Sequence, residues 1–182
     1  MTLKPVISVI GGGSWATALV KILSNNVDTI HWWVRSADTA DFITKYRHNP
    51  NYLSDVEINL SKVKISNDLK SAISSSDIII LAVPSAFLKP ALANIKPEDF
   101  KNTTVFSAIK GIIPDDLLII GDFLRQKLNI PLNRIGVITG PCHAEEVAME
   151  RLSYLTIASP ETETANTLAS LMNCRHIKTS VT

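Results

Sequence analysis

The chain has 182 residues, of which 46% are apolar and 19% are charged, with a formal net charge of +1 and two cysteines. The apolar fraction excludes a disordered chain, and so few cysteines exclude a small disulfide-bonded scaffold. Near-neutral charge argues against a nucleic-acid-binding or polybasic membrane-binding protein. The longest aliphatic run, Ile78 to Val83, has six residues, whereas a membrane-spanning helix needs about 20. We therefore expect a one-domain cytoplasmic protein without a signal peptide.

Strand-like runs of Val and Ile alternate with helical patterns along the chain. The pattern predicts strands at residues 6–10, 29–34, 63–66, 77–83, 103–109, 134–139, 154–158 and 176–178. It predicts helices at 14–25, 38–47, 68–74, 86–95, 114–128, 143–150 and 161–172, with a loop at 49–60. Such alternation is typical of an α/β fold, with a doubly wound, mostly parallel sheet and helices on both faces.

In such a sheet, ligands bind beyond the carboxyl ends of the strands, where the winding reverses. Residues that directly follow a predicted strand are therefore the candidates for function. They are Gly11 to Trp15, Arg35, Pro84 and Ser85, Lys110 and Gly111, and Gly140 to Ala144.

The first of these turns carries a recognisable glycine motif. Residues 11–16 read GGGSWA and match G-x-G-x-x-[G/A] between a predicted strand and a predicted helix, as in a Rossmann-like dinucleotide site. Gly11 would allow the tight turn, and Gly13 would let a diphosphate approach the backbone. The helix amino terminus would offer N–H groups to the phosphates. An ordinary tight turn is the alternative, whereas a Walker loop is excluded because no Lys-Ser or Lys-Thr follows at the required spacing.

The tip of the second predicted strand bears on the choice of coenzyme. An NAD site usually has a carboxylate there, about 20 residues after the glycines. In this chain the tip reads Trp33-Val34-Arg35-Ser36. Arg35 could pair with a 2′-phosphate or stack over adenine, which favours NADP without excluding NAD. The alternative is a solvated arginine at the end of a strand.

Two later turns offer further candidates. Lys110 could bind an anionic substrate or polarise a carbonyl, or it could be an ordinary surface lysine. The turn at Gly140 and Pro141 could hold an anion or polar ligand. Adjacent Cys142 and His143 do not favour a nucleophile pair. The set Cys142, His143, Cys174 and His176 lacks the spacing of a zinc site, so no metal is expected.

Six segments occur in the order and spacing of one protein family: 11–19, 33–35, 51–53, 83–85, 109–111 and 140–148. Through them the chain resembles the bacterial type of NAD(P)-dependent glycerol-3-phosphate dehydrogenase over essentially its whole length. The resemblance implies an NAD(P)-binding Rossmann domain at residues 1–182. It also implies reduction of dihydroxyacetone phosphate to sn-glycerol 3-phosphate for glycerophospholipid synthesis.

The resemblance also implies individual binding residues. The substrate would contact Lys110, Gly140 and Cys142. Relatives usually carry a small hydroxyl residue where Cys142 stands and an aromatic residue where His143 stands. The thiol could not make a side-chain hydroxyl contact, whereas a backbone contact would survive. The dinucleotide would contact Gly11, Gly13, Ser14, Trp15, Arg35, Tyr52, Lys110 and Ala144.

The family's general acid/base lysine belongs to a helical second domain that the resemblance places after Thr182. We therefore expect no catalytic residue in this chain and negligible turnover by it alone, with a homodimer as one possible state of the full-length form. Two alternatives stay open at this point. One is another dehydrogenase of related fold, acting on a hydroxy acid or a ketopantoate-like substrate, and the other is a non-enzymatic nucleotide-sensing module.

Overall fold

A computed structural model describes residues 4–182 and shows a sheet of eight strands. The strands of this sheet are β1 (Ile7–Ile10), β2 (Ile30–Trp33), β3 (Val63–Ser66), β4 (Ile78–Leu81), β5 (Thr104–Ser107), β8 (Ile135–Thr139), β9 (Ser153–Ala158) and β10 (Ile177–Val181). A separate hairpin consists of β6 (Ile112–Ile113) and β7 (Leu118–Ile119). The order across the sheet is β10-β9-β8-β5-β4-β1-β2-β3. Every pairing is parallel except that between β8 and β9.

Helices cover both faces of this sheet. They are α1 (Ser14–Leu23), α2 (Ala37–Tyr46), α3 (Leu69–Ser74), α4 (Ser85–Ala91), α5 (Ile120–Leu128), α6 (Ala144–Ala148) and α7 (Thr162–Met172), with 3₁₀ turns at Pro97–Phe100 and Leu132–Arg134. Successive side chains of a strand point to opposite faces. In β4, accordingly, Ile78 and Ile80 pack into the core beneath α1, α2, α6 and α7. Ile79 and Leu81 pack into the second core, beneath α3, α4 and α5. The predicted fold class is confirmed.

The prediction of a helix over residues 114–128 is wrong at residues 114–119. Pro114 lies in the turn between β6 and β7, and α5 begins at Ile120. Leu117 takes a left-handed conformation with φ of +52° and donates its N–H to the carbonyl of Ile113 at 2.8 Å. The Asp116 carboxylate of this turn pairs with Lys89 of α4 at 2.8 Å. These contacts fix a hairpin where local periodicity suggested a helix.

The topology places the ends of several strands together. β1, β2, β4, β5 and β8 all run in one direction, so their carboxyl ends share one edge of the sheet. From β1 the chain continues to β2 and β3 on one side, and later to β4, β5 and β8 on the other. The winding therefore reverses between β1 and β4, where doubly wound sheets bind ligands.

Within residues 4–182, no helix has the length and apolar character needed to cross a bilayer.

Candidate functional site

A cleft of about 1190 Å³ lies over the carboxyl ends of these strands. All the residues proposed for binding line it, although they come from five separate segments of the chain. Their placement together follows from the topology, and their individual roles stay predictions. They are Gly11, Gly13, Ser14, Trp15, Arg35, Tyr52, Lys110, Gly140, Cys142 and Ala144.

In the turn at Gly11–Gly13 (the glycine turn), the first and third positions are suited to glycine for different structural reasons. Gly11 has φ of +143°, and a Cβ there would lie 2.5 Å from the carbonyl oxygen of Ala82. It lets β1 lie close against the end of β4. Gly13 has an ordinary φ of −86°, and a Cβ there would meet no atom of the described residues within 4 Å. Gly13 therefore leaves open space on the cleft side, where a ligand can reach the backbone.

All three carbonyls of the glycine turn accept hydrogen bonds from side chains inside the protein. The first accepts from the indole Nε1–H of Trp32 at 2.7 Å. The second accepts from the amide of Asn49 at 3.0 Å. The third accepts from the hydroxyl of Thr17 at 3.0 Å. Since C=O and N–H point in opposite directions across a trans peptide, each inward carbonyl turns the next N–H outward.

The N–H groups of Gly12, Gly13 and Ser14 donate no hydrogen bond to any of residues 4–182. They lie at the start of α1, whose ten residues give this end a partial positive charge. Unpaired N–H groups at a helix amino terminus bind anions such as phosphates. The turn therefore offers unpaired N–H donors at the amino end of a helix.

The charges around the cleft favour the same kind of ligand. Its lining in the described part of the chain includes Arg35 and Lys110 but no aspartate or glutamate. Arg35 is exposed, and its Cζ atom stands 5.8 Å from the ring centroid of Phe87, within cation–π range. Phe87, on α4, is 52% exposed although its ring is large and apolar. The sequence interpretation missed Phe87, which only the fold brings beside Arg35.

Lys110 stands exposed just beyond the end of β5. No carboxylate in residues 4–182 lies within ion-pair distance of its ammonium group. Gly111, which follows and also lines the cleft, has φ of +91°, a conformation that favours glycine. Lys110 is therefore held where its positive charge can meet a ligand.

The turn at Gly140 gives weaker support for anion binding. The thiol of Cys142 donates to the carbonyl of Tyr154 at 3.3 Å. Burial raises the pKa of Cys142, and the nearby charge of Glu146 raises it further, so the thiol stays neutral. The Glu146 carboxylate accepts the N–H of His143 at 3.3 Å, and α6 has only five residues. An anion at this turn would meet a negative charge, so contacts at Gly140 and Cys142 rest on the family resemblance.

The four residues considered for zinc do not converge. Cys174 Sγ and His176 Nε2 lie 3.6 Å apart, whereas Cys142 contacts the backbone of β9. Among residues 4–182 there is no group of three or more His, Cys, Asp or Glu side chains placed to hold a metal ion.

Two buried polar residues beside the cleft were missed by sequence reasoning. The sequence predicts a strand at 29–34 and a loop at 49–60 but does not indicate that Trp32 and Asn49 each donate a side-chain hydrogen bond to the glycine turn. An indole N–H that is buried needs a partner, so a tryptophan on a central strand is one available signal. The Asn-Pro-Asn run at 49–51 indicates a local turn, which Asn49 makes by accepting the N–H groups of Asn51 and Tyr52.

Comparison with known proteins identifies the family. The model of the NAD-dependent glycerol-3-phosphate dehydrogenase N-terminus matches residues 6–165. The chain belongs to this family. The resemblance drawn from the sequence is therefore confirmed. Curated relatives include a glycerol-3-phosphate dehydrogenase [NAD(P)+] from Syntrophotalea carbinolica, 32% identical over 94% of this chain and 52% of its own length. Another, from Bacillus subtilis, is 32% identical over 91% of this chain and 48% of its own length.

Solved structures agree with this assignment. A glycerol-3-phosphate dehydrogenase from Plasmodium falciparum superposes with a TM-score of 0.86 and 25% identity, covering 98% of this chain and 53% of that one. The Coxiella burnetii glycerol-3-phosphate dehydrogenase reaches 0.88 at 23% identity, covering 99% and 54%, which shows a shared fold. The chain spans about half the length of the curated relatives it matches.

Proposed function

We propose that this chain is the cofactor-binding portion of an enzyme that reduces dihydroxyacetone phosphate to sn-glycerol 3-phosphate with NAD(P)H. The observation that carries the proposal is the family match over residues 6–165 together with a glycine turn whose N–H groups are aimed at a cleft without acids. In this role the protein would serve glycerophospholipid synthesis. The domain assignment for 1–182, a cytoplasmic location and a homodimer stay predictions from the sequence.

The residues present fit a dinucleotide. The outward N–H groups of the glycine turn and the amino end of α1 would hold the diphosphate, and Gly13 leaves the space for it. Arg35 would pair with the 2′-phosphate of NADP or stack on adenine beside Phe87. Ser14, Trp15, Tyr52 and Ala144 supply further walls of the same cleft.

The chain's own contribution to the chemistry is positioning and charge. A bound reduced nicotinamide would supply the hydride. Lys110, which has no carboxylate partner among residues 4–182, would attract the phosphorylated substrate and orient its carbonyl, with Gly140 and Cys142 as further contacts. The neutral thiol of Cys142 would not repel that substrate. By family resemblance, the lysine that protonates the developing alkoxide would lie after Thr182.

The test is a substrate panel on the whole protein at its natural length. NADPH oxidation would be followed with dihydroxyacetone phosphate, ketopantoate and a 2-oxo acid, first separately and then in competition. We expect turnover with dihydroxyacetone phosphate and loss of most of it in Lys110→Met, with a higher KM because the charge that binds the substrate is gone. Lys101→Met, an exposed lysine elsewhere on the surface, is the matched control.

Faster turnover of ketopantoate or of the 2-oxo acid would contradict dihydroxyacetone phosphate as the substrate and identify the protein as another dehydrogenase of related fold. Tight NADPH binding without turnover of any carbonyl compound would support a nucleotide-sensing module instead. We also expect residues 1–182 alone to turn over negligibly, since half of the relatives' length, and with it the proposed acid/base lysine, is missing from them.

A further inference from the structure

The side chain of Asn49 uses every hydrogen-bonding position it has. It is fully buried, just after the end of α2. Its Nδ2 donates to the carbonyl of Gly12 at 3.0 Å and to the hydroxyl of Thr17 at 2.9 Å. Its Oδ1 accepts the N–H groups of Asn51 at 3.0 Å and Tyr52 at 3.2 Å. A primary amide has two N–H donors, and its oxygen can accept two hydrogen bonds, so all four positions of the Asn49 side chain are used.

On one side, Asn49 controls two successive peptides of the glycine turn. It binds the carbonyl of Gly12 directly. The hydroxyl of Thr17 accepts a hydrogen bond from the Asn49 amide and donates its own to the carbonyl of Gly13 at 3.0 Å. Both carbonyls are thereby held inward, and the N–H groups of Gly13 and Ser14 point to the cleft.

On the other side, Asn49 fixes the wall of the cleft that carries Tyr52. The Tyr52 side chain is 48% exposed and lines the cleft. Its position depends on a loop that follows α2, and two consecutive backbone N–H groups of this loop donate to the side-chain oxygen Oδ1 of Asn49. One amide therefore joins two walls of the cleft that are far apart in sequence.

We propose that Asn49 is a positioning residue for the dinucleotide: it presets the diphosphate-binding N–H groups and the Tyr52 wall together, before ligand arrives. This inference rests on the proposed function, because it takes the glycine turn to be a diphosphate site. A preset site binds more tightly since the ligand does not have to order the backbone. Removing the Asn49 amide should therefore weaken ligands that have a diphosphate and spare those that lack one.

The experiment compares Asn49→Ala with wild type on the whole protein. Affinities would be measured for NADPH and for adenosine 2′-monophosphate, which has no diphosphate, by fluorescence titration and competition. We expect NADPH to bind at least about tenfold more weakly, the equivalent of roughly one to two buried hydrogen bonds. The affinity for adenosine 2′-monophosphate should stay within about twofold, since this ligand has no diphosphate for the N–H groups of the glycine turn to bind.

The matched control is Asn26→Ala. The Asn26 amide also donates two hydrogen bonds to backbone carbonyls, those of Leu171 at 3.1 Å and Asn173 at 2.7 Å, but it joins the turn after α1 to the end of α7, and none of these residues lines the cleft. The Asn26→Ala substitution should lower the unfolding temperature without changing NADPH affinity. If Asn49→Ala does not fold, Thr17→Val removes only the relaying hydroxyl, and we expect it to weaken NADPH about threefold or more.

Each outcome has a distinct meaning. Unchanged NADPH affinity in the folded Asn49 or Thr17 variant overturns the inference, and so does an equal loss for both ligands, which would indicate general damage. A wild-type protein that binds no dinucleotide overturns the proposed function itself. Selective loss of NADPH binding supports the positioning role.

Discussion

Two glycines of one motif should respond in opposite ways to the same added methyl group. In Gly11→Ala, the new Cβ would lie 2.5 Å from the carbonyl oxygen and 2.8 Å from the carbonyl carbon of Ala82, both backbone atoms of the residue that directly follows β4. The φ of +143° adds strain of about 1–3 kcal/mol for a residue with a side chain. With the overlap included, we expect about 3–5 kcal/mol of lost unfolding free energy.

Gly13→Ala should leave stability nearly unchanged. Its φ of −86° is allowed for alanine, and its Cβ would meet nothing in residues 4–182 within 4 Å. The change in unfolding free energy should therefore lie within about 1 kcal/mol, because the restriction that alanine places on the unfolded chain is opposed by its poor preference for the N-cap position of α1. The methyl group would, however, occupy the space beside the outward N–H groups. We expect NADPH affinity to fall about tenfold to a hundredfold through lengthened hydrogen bonds.

The assays are thermal unfolding and NADPH titration on the same three proteins. For a chain of this size, 1 kcal/mol moves the Tm by about 2–4 °C, so Gly11→Ala should unfold about 6–20 °C below wild type. The fluorescence of Trp15 and Trp33, which line the cleft, reports NADPH binding. Wild-type NADPH affinity in Gly13→Ala, or wild-type Tm in Gly11→Ala, would refute the assignment of one glycine to the ligand and the other to the fold.

Three further results are expected. Arg35→Ala should lower the ratio of NADPH to NADH affinity about tenfold, since a charge-assisted contact to the 2′-phosphate is lost; an unchanged ratio in parallel titrations would contradict that role. Burial, with a smaller effect from the charge of Lys64, lowers the pKa of His31, so protonation favours the unfolded state. The unfolding free energy in urea should therefore decline as pH falls below about 6.5, and His31→Gln should flatten this part of the profile. Because the pKa of the Cys142 thiol is raised, iodoacetamide should alkylate Cys142 more slowly than it alkylates the thiol of glutathione at pH 8. Bound NADPH should slow the alkylation of Cys142 further, as measured by site-resolved mass spectrometry.

The sequence alone determined the architecture and the location of the site. Val- and Ile-rich runs that end in glycine or proline predict buried parallel strands from local pattern. Their carboxyl ends must then meet at one edge. This is why the turns at Gly11, Arg35, Lys110 and Gly140 could be named together before the structure was known. The same local reasoning failed at residues 114–119, where an ion pair to another helix and a left-handed Leu117 accompany a hairpin in place of the predicted helix.

Tertiary structure alone decided how the glycine turn is held. Trp32 and Asn49 meet it through hydrogen bonds whose partners lie 21 and 37 residues apart. The path of the loop after α2, which local periodicity does not encode, brings Asn49 to the turn. The absence of acids from the cleft lining in residues 4–182 is likewise a property of the assembled surface. The sequence specifies which polar side chains are available, and burial in the folded protein requires those inside to form hydrogen bonds. For Trp32 and Asn49, the acceptors are carbonyls of the glycine turn, whose orientation directs the N–H groups toward the cleft.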